Sequence, residues 1–196
     1  MNTWIETYTG IHIDPLDPRP EDIRSEDIAH ALSNLCRYNG HCKHFFSVAQ
    51  HSINAAKYAL RQDMSYRIAL LALMHDAAEA YVSDIATPIK PHVKGFSGME
   101  RRVQKVIYSA LFICPPDAGE KSMVKRIDNV MMVTEAAALM PFNGWGEWTK
   151  EYQADKETDI CHKEQRAVKK DFLDIYFVVK NKAKQRRGYA YVPPAL

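Results

Sequence analysis

The sequence predicts an all-α protein, a helical bundle preceded by a small N-terminal β-hairpin. Two observations support this. Apolar residues recur with helical spacing through most of the chain, and residues that can cap a helix N-terminus precede several of these segments. Strand-like patterning is confined to residues 3–13, where Thr, Ile, Trp and Tyr flank a Thr-Gly dipeptide. We expect one domain over residues 1–196, with the hairpin and a Pro-rich loop over 1–24 and a C-terminal helix over 158–187.

The first two predicted helices follow the Pro-rich loop. The first has apolar residues at i, i+4 and i+7, with Gly40 as a stop signal beyond its end. Its apolar positions are Ile28, Leu32 and Leu35. The second opens with the capping box Ser47-Val48-Ala49-Gln50 and extends to about Arg61, which puts His51 in its first turn.

Two further helices surround the middle of the chain. Ser65 caps a helix whose residues Ile68 to Ala80 are apolar almost all round, as expected for the centre of a bundle. A second capping box, Ser97 to Glu100, predicts a helix that continues to about Phe112.

The C-terminal half is predicted to hold two more helices separated by a loop. One runs from about Gly119 to Leu139, and the last spans about Thr158 to Lys184. The stretch Asn143 to Asp155 between them looks irregular. Its Trp145 and Trp148 fit a substrate cover, a subunit interface or peripheral core packing equally well.

Composition excludes several classes of protein. Lys and Arg number 26 against 24 Asp and Glu, for a net charge of +2, whereas domains that bind nucleic-acid polymers usually carry a strong basic excess. The four cysteines form no C-x-x-C pair and read as reduced thiols. The N-terminus lacks a signal-peptide pattern, and the apolar stretch Ile68 to Met74 is too short to cross a bilayer. We therefore expect a soluble, cytoplasmic protein without a membrane partner.

The His75-Asp76 pair is the sharpest chemical signal in the chain. It interrupts the apolar segment LLALMHDAAEAY, where an unpaired carboxylate would be costly to bury. A divalent cation resolves that cost because imidazole and carboxylate are its natural ligands. On a continuous helix, His75, Asp76 and Glu79 would share an arc of about 100°. A lone His-Asp dipeptide is, however, more often a simple hydrogen-bonded pair.

Residues on two other predicted helices complete a candidate ligand set. His51 lies 24 residues before His75, and Asp128 lies 52 residues after Asp76. The resulting H…HD…D set leaves coordination positions open for water and phosphate. Two imidazoles favour one transition-metal ion, Zn²⁺, Co²⁺ or Mn²⁺, over Mg²⁺, although Mg²⁺ stays possible.

Three segments resemble motifs of HD-domain 5′-deoxynucleotidases and their phage-encoded relatives, some of which are triphosphohydrolases that act on dATP. The segments are SVAQHS, MHDAAEAYVSDIATPIK and VKRIDNVMMVTEA, in the family's order and spacing, and the resemblance runs from about Thr7 to Met140. It implies an HD-domain helical bundle with a single metal site, whose ligands would be His51, His75, Asp76 and Asp128.

The resemblance also implies roles for residues around the metal. Glu79 matches the acidic residue that handles the catalytic water or the leaving group, and Asp84 matches a second acidic residue near the reacting phosphate. Arg37 matches a phosphate-contacting arginine, and Lys90 is a plausible phosphate partner. Tyr38 stands where relatives carry an aromatic residue against the sugar, often Trp.

The expected activity is hydrolysis of dATP to deoxyadenosine and triphosphate. Arg37, His41, Lys43 and His44 are close together in sequence, and Lys90 would approach from the other side, which is more positive charge than a monophosphate needs. The alternative is a 5′-deoxynucleotidase that acts on deoxynucleoside monophosphates. Base preference and native metal stay open. Relatives form dimers and hexamers, which implies a homo-oligomer in a bacterial or phage-infected cytoplasm.

Three rival classes fit the sequence less well. Cyclic-nucleotide phosphodiesterases of the HD superfamily need extra histidines before the last Asp, and that interval holds only His92. A guanosine-tetraphosphate hydrolase is disfavoured by the CRYNGH segment. A non-catalytic metal-binding or nucleic-acid-binding module would be expected to lose a ligand or Glu79, or to carry more charge than +2.

Overall fold

The protein is mostly helical, with one small antiparallel sheet at its N-terminus. A computed structural model describes residues 3–141 and 148–186. Strands β1 (Ile5–Glu6) and β2 (His12–Ile13) pair as the predicted hairpin. The hairpin is fixed to the first helix through Thr9, whose backbone N–H and hydroxyl both donate to the buried carboxylate of Asp27.

The helices follow the hairpin in chain order. Their bounds are α1 (Ser25–Asn34), α2 (Val48–Arg61), α3 (Tyr66–Leu73), α4 (Glu79–Val82), α5 (Phe96–Ala110), α6 (Ala118–Leu139), α7 (Trp148–Glu151) and α8 (Gln165–Arg186). Short 3₁₀ segments lie at Pro20–Asp22, Arg37–Gly40 and Lys90–His92. None of these described helices has the length and apolar character needed to cross a bilayer.

Helices α2 and α3 form the centre of the bundle. They pack on each other, with α8 and α6 against both and α1 against α2, α4 and α8. Helix α8 contributes one apolar face to this core, where Phe172, Tyr176 and Val179 are buried. Burial of this apolar surface is the main stabilising contribution to the fold. All four cysteines are free thiols.

Two of the three predicted helix N-caps are present in the structure. The Ser47–Gln50 capping box and the Ser65 cap are confirmed, with their hydroxyls accepting from the backbone N–H groups of Gln50 and Ile68. The predicted box at Ser97–Glu100 is wrong. Helix α5 begins at Phe96 because Gly95, in the left-handed region with φ 83°, is its N-cap, so Ser97 is already inside the helix.

The last helix begins later than predicted, at Gln165 rather than near Thr158. The preceding segment runs across α2, where Gln50 Nε2 donates to the carbonyl of Cys161 and Asn54 Nδ2 to that of Asp159. These side chains bond carbonyls of an irregular segment and so favour a non-helical backbone there. The predicted loop over Asn143–Asp155 is interrupted by α7, while Trp145 lies outside the described residues.

The predicted helix through the His75-Asp76 pair is also interrupted. Helix α3 ends at Leu73, and residues 74–78 form turns before the four-residue α4. Backbone hydrogen bonds there tighten to i→i+3 spacing, as in Glu79 N–H to the Asp76 carbonyl at 3.0 Å. Gln104 of α5 supports the break: Ala78 N–H donates to its Oε1 at 3.0 Å, and its Nε2 donates to the Met74 carbonyl at 2.8 Å.

Replacing Gln104 with Met tests this account of the helix break. Met fills similar space but offers no amide, so the Ala78 N–H loses its acceptor. We expect Gln104→Met to lower the free energy of unfolding of the metal-free protein by about 1–3 kcal/mol, the usual cost of an unsatisfied buried group. Urea denaturation measures it, with Ser109→Ala on the exposed face of α5 as the control. Equal stability of the Gln104 variant and the parent protein would contradict the assigned role.

Candidate metal centre and active site

His51 is held in a fixed orientation at the first turn of α2. Its side chain is fully buried, and its Nδ1 lies 2.8 Å from Oε1 of Glu135 on α6, which is also fully buried. Because a carboxylate only accepts, Nδ1 carries the proton of this hydrogen bond. The other nitrogen, Nε2, therefore points into the site with its lone pair available to a cation.

His75 is oriented in the same manner by the backbone. Its Nδ1 donates to the carbonyl of Ala72 at 2.8 Å, one turn back in α3. This bond uses a carbonyl that a continuing helix would need for Asp76, which contributes to the break after Leu73. The turn then presents His75 Nε2 and the Asp76 carboxylate to the same point, 3.0 Å apart.

Four side chains from α2, the turn after α3, and α6 converge on one point. His51 Nε2 lies 3.3 Å from His75 Nε2, 3.7 Å from Asp76 Oδ2 and 3.2 Å from Asp128 Oδ1. His75 Nε2 lies 3.7 Å from the same Asp128 oxygen. His51, His75 and Asp76 form the tightest group, with donor atoms within 4.8 Å of one another, and Asp128 adjoins it beside His51. The sequence-predicted ligand set is thus brought together.

These donors fit a divalent transition-metal ion. Ligand bonds of about 2.0–2.2 Å place neighbouring donors around an ion about 3–3.6 Å apart, close to the distances between these atoms. Both imidazoles direct Nε2 inward while Nδ1 is bound to an acceptor, the usual arrangement for ligating histidines. His51, His75 and Asp76 could therefore hold the ion, with Asp128 beside His51 as a candidate fourth ligand.

The electrostatics of the group favour a positive charge at its centre. Burial alone would lower the pKa of both imidazoles, but Asp76, Asp128 and Glu135 outweigh it, so the pKa values of His51 and His75 are raised. Burial would likewise raise the pKa of Asp76, yet the neighbouring His75 lowers it to about 2. The histidines in turn hold the pKa of Asp128 well below its usual value. Carboxylates in this position stabilise a cation.

We call His51, His75, Asp76 and Asp128 the metal group. Arg37 and Tyr38 lie next to it, and Glu135 links Arg37 to His51. Arg37 Nε lies 2.8 Å from Glu135 Oε2, so one buried carboxylate positions both Arg37 and His51. Tyr38 and Asn39 adopt left-handed backbone conformations, with φ of 54° and 50°. Such a conformation costs a residue with a side chain on the order of 1–3 kcal/mol and is concentrated at functional sites. The Tyr38 ring lies under the Arg37 guanidinium, with 5.4 Å between the ring centre and Arg37 Cζ. The Tyr38 hydroxyl donates to the Met132 carbonyl.

A cavity of about 480 Å³ opens beside this pair, and we name it the Tyr38 cavity. Its lining contains Asp84, predicted to be catalytic, and three residues predicted to bind substrate: Arg37, Tyr38 and His41. Burial raises the pKa of Asp84 above its ordinary value, even though Arg37 opposes the shift. The cavity is large enough for a nucleoside-sized ligand.

Glu79 lies at the start of α4, with only 5% of its surface exposed. Burial, together with the charges of Asp76 and Asp84, raises its pKa to about 9. Its Oε1 lies 3.5 Å from Lys90 Nζ, and its Oε2 is buried without a hydrogen-bond partner in the described part of the chain. Lys90 also donates to Glu100 at 2.6 Å. In the metal-free protein this raised pKa favours the protonated, neutral form of Glu79.

Three predicted contacts, Lys90, Lys43 and His44, do not line the Tyr38 cavity. Lys43 anchors its loop to the end of α6, with its Nζ donating to the Ala138 carbonyl at 2.9 Å. His44 lies near His162, with ring centres 6.2 Å apart. Sequence reasoning also missed Glu135, although it falls seven residues, about two helical turns, after Asp128 on the same face of α6. That spacing was the available signal.

Comparison with known proteins identifies relatives but not an activity. No family model matches the chain. The uncharacterized protein YfdR of Escherichia coli is 36% identical over 137 residues, which cover 70% of this chain and 72% of the relative. An uncharacterized protein of Rhodobacter capsulatus is 33% identical over 147 residues, 71% of this chain and 74% of that protein. At this identity and coverage, the chain belongs to the same protein family as YfdR of Escherichia coli.

Proposed function

We propose that the protein is a metal-dependent phosphohydrolase of the HD superfamily that hydrolyses dATP to deoxyadenosine and triphosphate. The observation that carries the proposal is the convergence of His51, His75, Asp76 and Asp128 around one point, next to the buried carboxyl of Glu79. A purely structural cluster would not require a carboxyl with a strongly raised pKa and a strained Tyr38-Asn39 segment beside it.

A divalent ion held by these four residues would lower the pKa of a coordinated water and draw charge from the phosphoryl oxygens. The protein's own contribution begins with orientation. Glu135 and the Ala72 carbonyl fix the two imidazoles, so the ligand geometry is set before substrate arrives.

Glu79 supplies the proton that the reaction needs. As the water oxygen bonds to the α-phosphorus, the bond from phosphorus to the 5′-oxygen breaks and the nucleoside leaves. Glu79, with its pKa raised to about 9, donates its proton to that 5′-oxygen and regains one from the attacking water. Burial keeps this proton in place at neutral pH, since the charged carboxylate is poorly solvated there.

Arg37 and Tyr38 are assigned to substrate binding. The guanidinium of Arg37 is held by Glu135 at the junction of the metal group and the Tyr38 cavity, where it can hydrogen-bond the α-phosphate. The Tyr38 ring would pack against the deoxyribose, leaving little room for a 2′-hydroxyl. The preference for adenine rests on the resemblance of the CRYNGHCKHFFSVAQHS segment to the phage enzymes.

Product analysis tests the proposed function directly. Purified protein supplied with Co²⁺ or Mn²⁺ should convert dATP to deoxyadenosine and triphosphate, resolved by anion-exchange chromatography, and should act more slowly on ATP. Chelation of the ion should abolish turnover. Release of dAMP and pyrophosphate would contradict the proposal, and activity confined to monophosphates would identify a 5′-deoxynucleotidase instead.

The Glu79→Gln variant separates proton transfer from metal binding. Gln keeps the size of the side chain but cannot deliver a proton, so kcat should fall by roughly 10²–10⁴-fold. Metal content and KM should stay close to those of the parent protein because Glu79 is not in the ligand group. Glu157→Gln, on the exposed segment before α8, is a charge-matched control. Near-normal kcat in Glu79→Gln would show that this carboxyl only positions its neighbours.

A further inference from the structure

A second cavity, of about 470 Å³, opens on the other side of the metal group between α5 and α6. Two of the candidate ligands, His75 and Asp128, form part of its wall. Four cationic side chains also line it, and we name it the basic cavity. They are Arg101 and Lys105 of α5 and Lys121 and Lys125 of α6. Any group that enters it meets the metal ligands and the cations together.

Most of this positive charge is not neutralised by the protein. Arg101, Lys105 and Lys121 form no ion pair with a carboxylate in residues 3–141 and 148–186. Their acidic sequence neighbours are engaged elsewhere, since Glu100 contacts Lys90 at 2.6 Å and Glu120 contacts Arg67 at 3.0 Å.

The arrangement of the cations has a cost that a bound anion would remove. Arg101 and Lys105 are one helical turn apart, as are Lys121 and Lys125, and like charges at this spacing destabilise a helix. Of the four, Lys125 has a carboxylate partner, at 2.8 Å, and that partner is Asp128 of the ligand group. A polyanion in the cavity would offset the repulsion within both helices.

Arg37, Lys43 and Lys90, the cations that the sequence suggested for this purpose, already contact other groups of the protein. Arg37 pairs with Glu135, Lys90 lies between Glu79 and Glu100, and Lys43 bonds a carbonyl away from the Tyr38 cavity. Arg37 suffices for a single phosphate at the metal. Phosphates beyond the first need the unpaired cations, and the basic cavity supplies them.

We infer that the basic cavity binds the β- and γ-phosphates of a nucleoside triphosphate whose α-phosphate lies at the metal group. This inference rests on the proposed function. In it, the enzyme owes its specificity for triphosphates to Arg101, Lys105 and Lys121. The nucleoside would occupy the Tyr38 cavity, so the substrate spans the metal group from one cavity to the other.

Calorimetric titration with inorganic tripolyphosphate tests this site without catalysis. The full-length protein, in a constant excess of Mg²⁺, should bind tripolyphosphate at least tenfold more tightly than orthophosphate. The double variant Lys105→Gln/Lys121→Gln should weaken tripolyphosphate binding at least tenfold and should reduce its salt dependence. The charge-matched control is Lys57→Gln/Lys156→Gln, which removes two exposed lysines outside the cavity and should bind like the parent protein.

Two binding results would overturn the inference, and so would one kinetic result. One is equal tripolyphosphate affinity in the cavity variant and the control. The other is displacement of tripolyphosphate by a short single-stranded DNA at equal phosphate concentration, which would assign the cavity to a phosphodiester chain. Lysine-dependent tripolyphosphate binding without dATP hydrolysis would uphold the site and reject the proposed function. Hydrolysis of dATP at the parent rate and KM by the cavity variant would uphold the function and reject the site.

Discussion

The close approach of two imidazoles and two carboxylates is the constraint on which the rest of the structure depends. His51 and His75 direct Nε2 atoms at each other across 3.3 Å, and Asp76 and Asp128 lie against them. Positive charge at its centre stabilises such a group, because partly buried carboxylates are poorly solvated. Three separate elements must meet to form it. The packing of α6 on α2 and α3 therefore determines the site as well as the core.

One consequence is the broken helix after Leu73. A continuous helix would bury the same apolar residues. In it, however, the Ala72 carbonyl would accept from the backbone N–H of Asp76 and not from His75 Nδ1. The i→i+3 turns and the Gln104 amide provide hydrogen bonds that replace those lost where the helix breaks. Glu135 has a comparable role on the other side, where it links Arg37 and His51 in one buried ion-pair chain. The proposed metal ligation and the proposed substrate binding would thereby be coupled through a single carboxylate.

Much of the candidate site was predictable because its signals are local. The capping box at Ser47 locates His51 in a helix, and a His-Asp pair in an apolar segment requires a partner whatever the fold. Other features depend on contacts between distant segments. The helix break relies on Gln104, some 30 residues away from Met74, and the late start of α8 relies on Gln50 and Asn54. In the sequence alone, nothing distinguishes Arg101, Lys105 and Lys121 from cations on solvated helix faces. Only the packing of α5 and α6 shows that they line one cavity.

The central claim is that one metal ion is held by these four side chains. X-ray absorption at the metal edge of the purified protein measures the number and kind of its ligands. We predict one transition-metal ion per chain, coordinated by two imidazole nitrogens and by oxygen atoms, and loss of this signature in Asp76→Ala. A spectrum without imidazole ligands, or one that is unchanged in Asp76→Ala, would contradict the account.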